Sequence, residues 1–151
     1  MTFLDTIIHQ VETDTLRETY QDRLDIVRHK IKFMDRVPVA VLDTHNEVNN
    51  FLDPLLEMAG GEVVTDPLNA KVILYVQPGV SMLSLMGAVP TLLDAAWPAV
   101  TFNRVYLIDD LHAYLNDAEY AFTFLEDLAE ILNPGAFIFG NEGKNWMSFG
   151  V

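Results

Sequence analysis

Three short polar segments carry the side chains best suited to chemistry in this 151-residue chain. The first holds Asp43, Thr44, His45 and Asn46, with Asn49 one turn further on. The second is Gln77-Pro78-Gly79-Val80, and the third runs Asp109, Asp110, Leu111, His112, Ala113, Tyr114. Each follows an apolar run: Val39 to Leu42, Val72 to Val76 and Val105 to Ile108. In an open α/β sheet, ligands settle beyond the carboxyl ends of the strands, where such loops meet. Asp43, His45, Asn46, Asn49, Gln77, Gly79, His112 and Tyr114 are therefore the expected ligand-binding residues. Imidazole and carboxylate also suit Zn²⁺ or Fe, and Asp43, His45, Asp109, Asp110 and His112 form a candidate metal set. Their spacing is not that of a known metal signature, and strand-end aspartates often serve as turn formers instead.

Signals for catalysis are sparse. The sequence has no Gly-rich phosphate loop, no nucleophile elbow and no HExxH helix. Gly60-Gly61 closes a helix and does not open one, so it offers no helix N–H groups to a phosphate. The chain has no cysteine, which excludes disulfides, thiolate metal sites and thiol nucleophiles. No cofactor motif stands out, and none is expected.

Charge narrows the partners. The formal net charge is −13, and six of the nine cations lie before Val37. From Val37 onward Lys71, Arg104 and Lys144 face fifteen acidic residues. Such a body repels phosphate backbones and anionic membranes, so no nucleic acid is expected as a partner. A cation or a metal suits it better. No stretch reaches the roughly 20 apolar residues of a bilayer span, so no membrane insertion is expected. The N-terminus lacks the basic start of a signal peptide. As it stands the sequence reads as cytoplasmic; with an export signal removed, it reads as periplasmic or cell-surface.

The elements that must position these loops follow from periodicity. Tyr20, Leu24, Val27, Ile31 and Met34 trace one helical face, and Phe3, Leu4, Ile7, Ile8 and Val11 continue the period on a shifted stripe. With no proline or glycine before Pro38, residues 1–36 are expected as one long helix, with Thr13 to Thr15 a place where it could restart. Roughly 33 helical residues span about 50 Å, so the first turns are expected to project and to provide a seam for a homodimer. Residues 37–151 are expected as a single α/β lobe. Within it we expect strands at Val39 to Leu42, Val63-Val64, Val72 to Val76 and Val105 to Ile108. Helices are expected from about Glu47 to Met58, from Pro90 to Trp97 with Pro98 as its stop, and over AEYAFTFLEDLAEIL. Asn116 or Asp117 would cap the last of these, and Asn133-Pro134-Gly135 would close it. The fold class is α/β: a three-layer sandwich with a mainly parallel central sheet, preceded by a long N-terminal helix.

Four segments, in order, resemble the C-terminal lobe of the ABC-transport substrate-binding proteins for cobalamin, haem and ferric siderophores. VPVAVLD with FLDPLLEMAGGEVV is similar to that lobe's first strand, ligand-side loop and helix ending in Ala-Gly-Gly. NAKVILYVQPG resembles its "ADVIIV-x-PG" strand and turn. WPAVTFNRVYLIDD resembles "pAVknGrVyvvD", and LEDLAEILNPGAF resembles the closing "L-A-x-I-L-H-P-x-x-F" helix. The resemblance extends over residues 10–139 and identifies the leading helix with the one joining the two lobes.

It implies a corrinoid, siderophore or haem-class ligand in a cleft lined by His45, Asn46, Gly79, His112 and Tyr114. The N-terminal lobe is missing from this sequence. The helix before the "ADVI" strand is reduced to Thr65–Asn69, the "nGrV" glycine is Asn103, and the Arg/Pro-rich loop is HAYLNDAEYA without its arginine. Three readings stand. The first is a non-catalytic small-molecule-binding module completed by a partner lobe or a second copy. The second is an interaction or structural domain that has lost its ligand. The third is a metal-dependent enzyme.

Overall fold

Strands β1 (Val37–Leu42), β2 (Gly61–Val63), β3 (Val72–Tyr75), β4 (Val105–Ile108) and β5 (Trp146–Ser148) form one sheet in the order β2-β1-β3-β4-β5. The structure is a computed structural model and describes residues 3–111 and 117–150. The first four strands run parallel, with Val39 opposite Val72 and Tyr75 opposite Leu107. β5 closes one edge antiparallel, Ile108 facing Trp146.

Side chains alternate across the sheet with period two. Val39, Val41, Val72, Leu74, Val76, Tyr106 and Ile108 face a core shared with α1 (Phe3–Gln10), α2 (Asp14–Ile31), α3 (Asp53–Met58) and α6 (Ala118–Leu132). Ala40, Leu42, Ile73, Tyr75, Val105 and Leu107 face a second core under α4 (Met82–Ala88), α5 (Pro98–Thr101) and two short 3-10 turns. Burial on both faces is why β1, β3 and β4 read as continuous apolar runs. The three-layer α/β expectation holds.

The single leading helix does not. The chain leaves helical geometry at Val11–Thr13, where the Arg17 guanidinium donates to the Val11 carbonyl at 2.7 Å and pairs with Asp14 at 2.9 Å. α1 folds back against α6, which leaves Leu4 at 0% and Ile8 at 3% exposure. The shifted apolar stripe is the trace of this bend. Of its residues Leu4 and Ile8 are buried against the rest of the chain, and Ile7 and Val11 are half-buried. α2 is clamped to α6 by Arg23, which bridges Glu119 at 2.9 Å and Glu126 at 2.6 Å beside the stacked rings of Tyr20 and Phe122.

Three other boundaries moved. The helix expected from Glu47 begins at Asp53, because Asp43 to Asn49 satisfy their own backbone locally. Pro98 opens α5 and does not end a helix: Trp97 before it is extended, as a residue preceding proline favours. The expected Pro90 helix is only the 3-10 turn Val89–Thr91. β5 arises in a Gly/Asn-rich tail where no strand was expected.

Glycine is required twice in the Ala-Gly-Gly stop. Gly60 has φ +99°, and a Cβ on Gly61 would lie 3.0 Å from the Leu56 carbonyl oxygen. Asn103 has φ +56°, and asparagine is among the few residues that accept this conformation.

Candidate functional site

The carboxyl ends of β1, β3 and β4 lie side by side, and the three polar loops leaving them are fastened into one rim. The first loop is a tight reversal. Asp43 Oδ1 accepts from the backbone N–H groups of His45 at 2.8 Å and Glu47 at 3.0 Å, and Val48 pairs back on Leu42. Asn46 sits at φ +57°. Its amide donates to the Leu92 carbonyl at 2.7 Å, and its Oδ1 accepts from the Tyr75 hydroxyl at 2.8 Å. Burial pushes the Tyr75 phenol well above its usual range, so it remains a neutral donor. Asn49 Oδ1 accepts from the Phe51 N–H at 2.8 Å.

The loops are tied to one another by side chains. Gln77 Oε1 accepts from both the N–H (3.1 Å) and the hydroxyl (2.7 Å) of Thr44, joining the first loop to the second. Asp110 Oδ1 accepts from the Gly79 N–H at 2.9 Å, and Asp109 Oδ1 from the Met82 N–H at 2.9 Å, joining the second to the third. The Asp109 N–H in turn donates to the Asn145 carbonyl at 2.9 Å.

The rim therefore uses most of the expected ligand-binding groups to hold its own shape. His45 is the clear exception: its side chain is exposed, and only its backbone N–H is bonded among the described residues. Gly79, at φ +82°, is also exposed. Asp43, Glu47, Asp109 and Asp110 make the rim electronegative. His112 and Tyr114 lie outside the described residues. Among the described residues no three His, Asp or Glu side chains converge to hold an ion, and His112 of the candidate metal set lies outside them. The physical reason is the bonding above. Asp43 is turned onto its own loop, and Asp109 and Asp110 onto the N–H groups of the second.

One group the sequence did not flag lies on α6, against the turn that precedes β5. Asp127, on α6, is only 2% exposed. Its Oδ1 accepts from the Asn141 amide at 2.9 Å, while Oδ2 has no partner. Burial raises its carboxyl to about 6, opposed by the nearby amides of Asn141 and Asn145 and reinforced by the charges of Glu130 and Glu126. Tyr120 is pushed up by burial first, then by the charges of Asp109, Asp127 and Asp110. A lone Asp on the apolar face of a predicted helix was the available signal.

The sequence matches no protein-family model and no curated protein. Solved structures do match. The TroA-like periplasmic binding protein FepB of Veillonella parvula aligns with a TM-score of 0.60 at 17% identity, over 82% of this chain and 47% of that one. An ABC transporter substrate-binding protein of Listeria monocytogenes gives 0.64 at 17% identity, over 79% and 56%. The CeuE protein of Helicobacter pylori, solved as a nickel–histidine complex, gives 0.62 at 15% identity, over 89% and 51%. The chain thus spans about half the length of the proteins it matches, and its fold is that of a single lobe.

Proposed function

We propose that the chain is a non-catalytic ligand-binding lobe of the periplasmic-binding type, with its site on the rim formed by the loops after β1, β3 and β4. The observation that carries this reading is the rim itself. Three strand-end loops, each free to diverge, are cross-braced by Thr44–Gln77, Asp110–Gly79 and Asp109–Met82 into a preformed surface. Preorganisation of this kind lowers the ordering cost of binding. An open rim covers only one side of a ligand, whereas ligand sites usually enclose most of it. A partner lobe or a second copy therefore supplies the opposite wall. The ligand is of the corrinoid, siderophore or haem class, and the electronegative rim favours neutral or cationic members over anionic ones. Such a role belongs in the periplasm or at the cell surface, beside a transporter.

Titration of cyanocobalamin, haemin and a ferric hydroxamate siderophore, read by tryptophan fluorescence and calorimetry, tests the proposal. Saturable binding of at least one is expected, with His45→Ala weakening it about tenfold, the scale of one lost polar contact. Light scattering on the same samples is expected to show a larger particle when ligand is present. Absence of binding to all three would remove this reading. It would favour the second one, an interaction domain, which draws support from the number of rim side chains already committed within the chain.

A further inference from the structure

From Val72 to Asn103 the sequence carries a single charged side chain, Asp94, in a chain with 22 acidic and nine basic residues. That stretch builds most of the layer over the second core: α4, the 3-10 turn Val89–Thr91 and α5. Its outer surface is apolar. Ser81 caps α4 by accepting from the Ser84 N–H at 3.2 Å, and Leu85 and Val89 take the core side of the helix. Leu83 and Met86, three residues apart on one face, are thereby turned outward at 76% and 40% exposure. Phe102, at the end of α5, is 73% exposed. In the same layer Pro90, Leu93, Ala95, Val100 and Phe149 line a depression of about 400 Å³.

Charge returns at the margins of the layer, with opposite sign at its two ends. Lys71 enters β3 at the end away from the rim, its N–H donating to the Pro38 carbonyl at 2.9 Å and its side chain exposed beside Pro98 and Phe102. Asp66, at the same margin, is turned onto the Leu68 N–H at 2.9 Å. Arg104 leaves for the other face of the sheet, where it donates to the Tyr106 hydroxyl and the Ile131 carbonyl. Asp94 is exposed toward the rim, just past Leu92, whose carbonyl receives the Asn46 amide. Among the described residues neither Lys71 nor Asp94 forms an ion pair.

We infer that this layer is the contact face of a two-fold symmetric dimer of the chain. A neutral apolar face is matched by a second copy of itself. A two-fold axis through it sets the Lys71 end of each copy against the Asp94 end of the other. Both margins then carry an opposite pair, and the two acidic rims point away from each other. A centre depleted in charge and furnished with Met and Phe has the composition of an interface core. Leu83, Met86 and Phe102 would otherwise hold a joined apolar surface in water, which solubility opposes. Both rims stay open in such a dimer, so it does not rest on the ligand reading.

Sedimentation velocity on the full chain, with no ligand added, reads the association from about 5 to about 500 µM. A monomer–dimer equilibrium with Kd of about 1–100 µM is expected. Leu83→Glu, at an exposed helix position, should weaken it by about tenfold or more. Lys71→Glu and Asp94→Lys should each weaken it about tenfold, since each sets two like-charge pairs across the axis. Mixing these two singly reversed chains should restore a heterodimer near the parental Kd, because each charge then meets its opposite. Circular dichroism checks that every variant is folded, and Leu83→Glu decides alone if a reversed chain is not. A chain that stays monomeric to about 500 µM would overturn the inference. Flotation of that monomer with phosphatidylcholine vesicles would assign the face to a lipid surface instead. A dimer that Leu83→Glu leaves intact, or folded reversed chains that fail to pair when mixed, would overturn it as well.

Discussion

At the scale of single residues, Asp127 makes the sharpest demand. Its carboxyl titrates at about 6 in the native state, above the ordinary carboxylate range it has when unfolded. The native state therefore holds its proton over a pH window in which the unfolded chain has already lost it. Stability from this group is complete below about pH 4 and is lost as pH rises through 6. Asp127→Asn keeps an acceptor for the Asn141 amide and removes the charge. It should raise unfolding free energy at pH 7.5 by about 1–3 kcal/mol, with the gain gone near pH 4. Urea unfolding at the two pH values is the check, and an equal effect at both would contradict it. Residue type alone pointed to Asp43, Asn46, Gln77 and Asp110 as polar strand-end groups, and each lies at the rim. It could not say that their hydrogen bonds are spent within the rim, because that depends on which loops become neighbours through the strand order.

Among the elements, the leading helices decide what the N-terminal segment does. With Leu4 and Ile8 packed under α6, Leu4→Ala or Ile8→Ala should each destabilise by about 2–4 kcal/mol. On a helix projecting into solvent the same changes would stay within about 0.5 kcal/mol, so chemical denaturation separates the two arrangements. At the α5–β4 turn, Asn103→Val should cost about 1–2 kcal/mol, while Asn103→Gly should be nearly neutral, since the position needs a left-handed backbone. β1, β3, β4 and α6 were legible because burial on both faces, or along one helical stripe, writes itself into the pattern of apolar residues. The misread segments are those where another force prevails. Local Asx-type hydrogen bonds hold Asp43 to Asn49 out of a helix. An Arg17–Val11 bond stabilises the α1–α2 bend, and a three-residue edge strand exists only through its pairing with β4.

For the whole molecule, charge is the dominant global property. A net charge of −13 on this chain opposes compaction through self-repulsion, which salt relieves. Raising NaCl from about 20 to 200 mM should lift the thermal midpoint by roughly 2–5 °C, the scale of about 1 kcal/mol in a domain this size. A flat response in differential scanning calorimetry would show that local pairs such as Arg23 with Glu119 and Glu126 already offset the repulsion. The packing of α1 on α6 carries one more consequence, and it concerns time. α1 leaves the ribosome about a hundred residues before the helix it needs, so Leu4 and Ile8 stay uncovered while the sheet is still being assembled. Contacts of such long sequence separation slow folding, and they make the closure of α1 over α6 a late event. Refolding from urea should accordingly show protection of α1 amides from hydrogen exchange arriving after that of β1 and β3, with the chain's beginning among the last parts to be sealed.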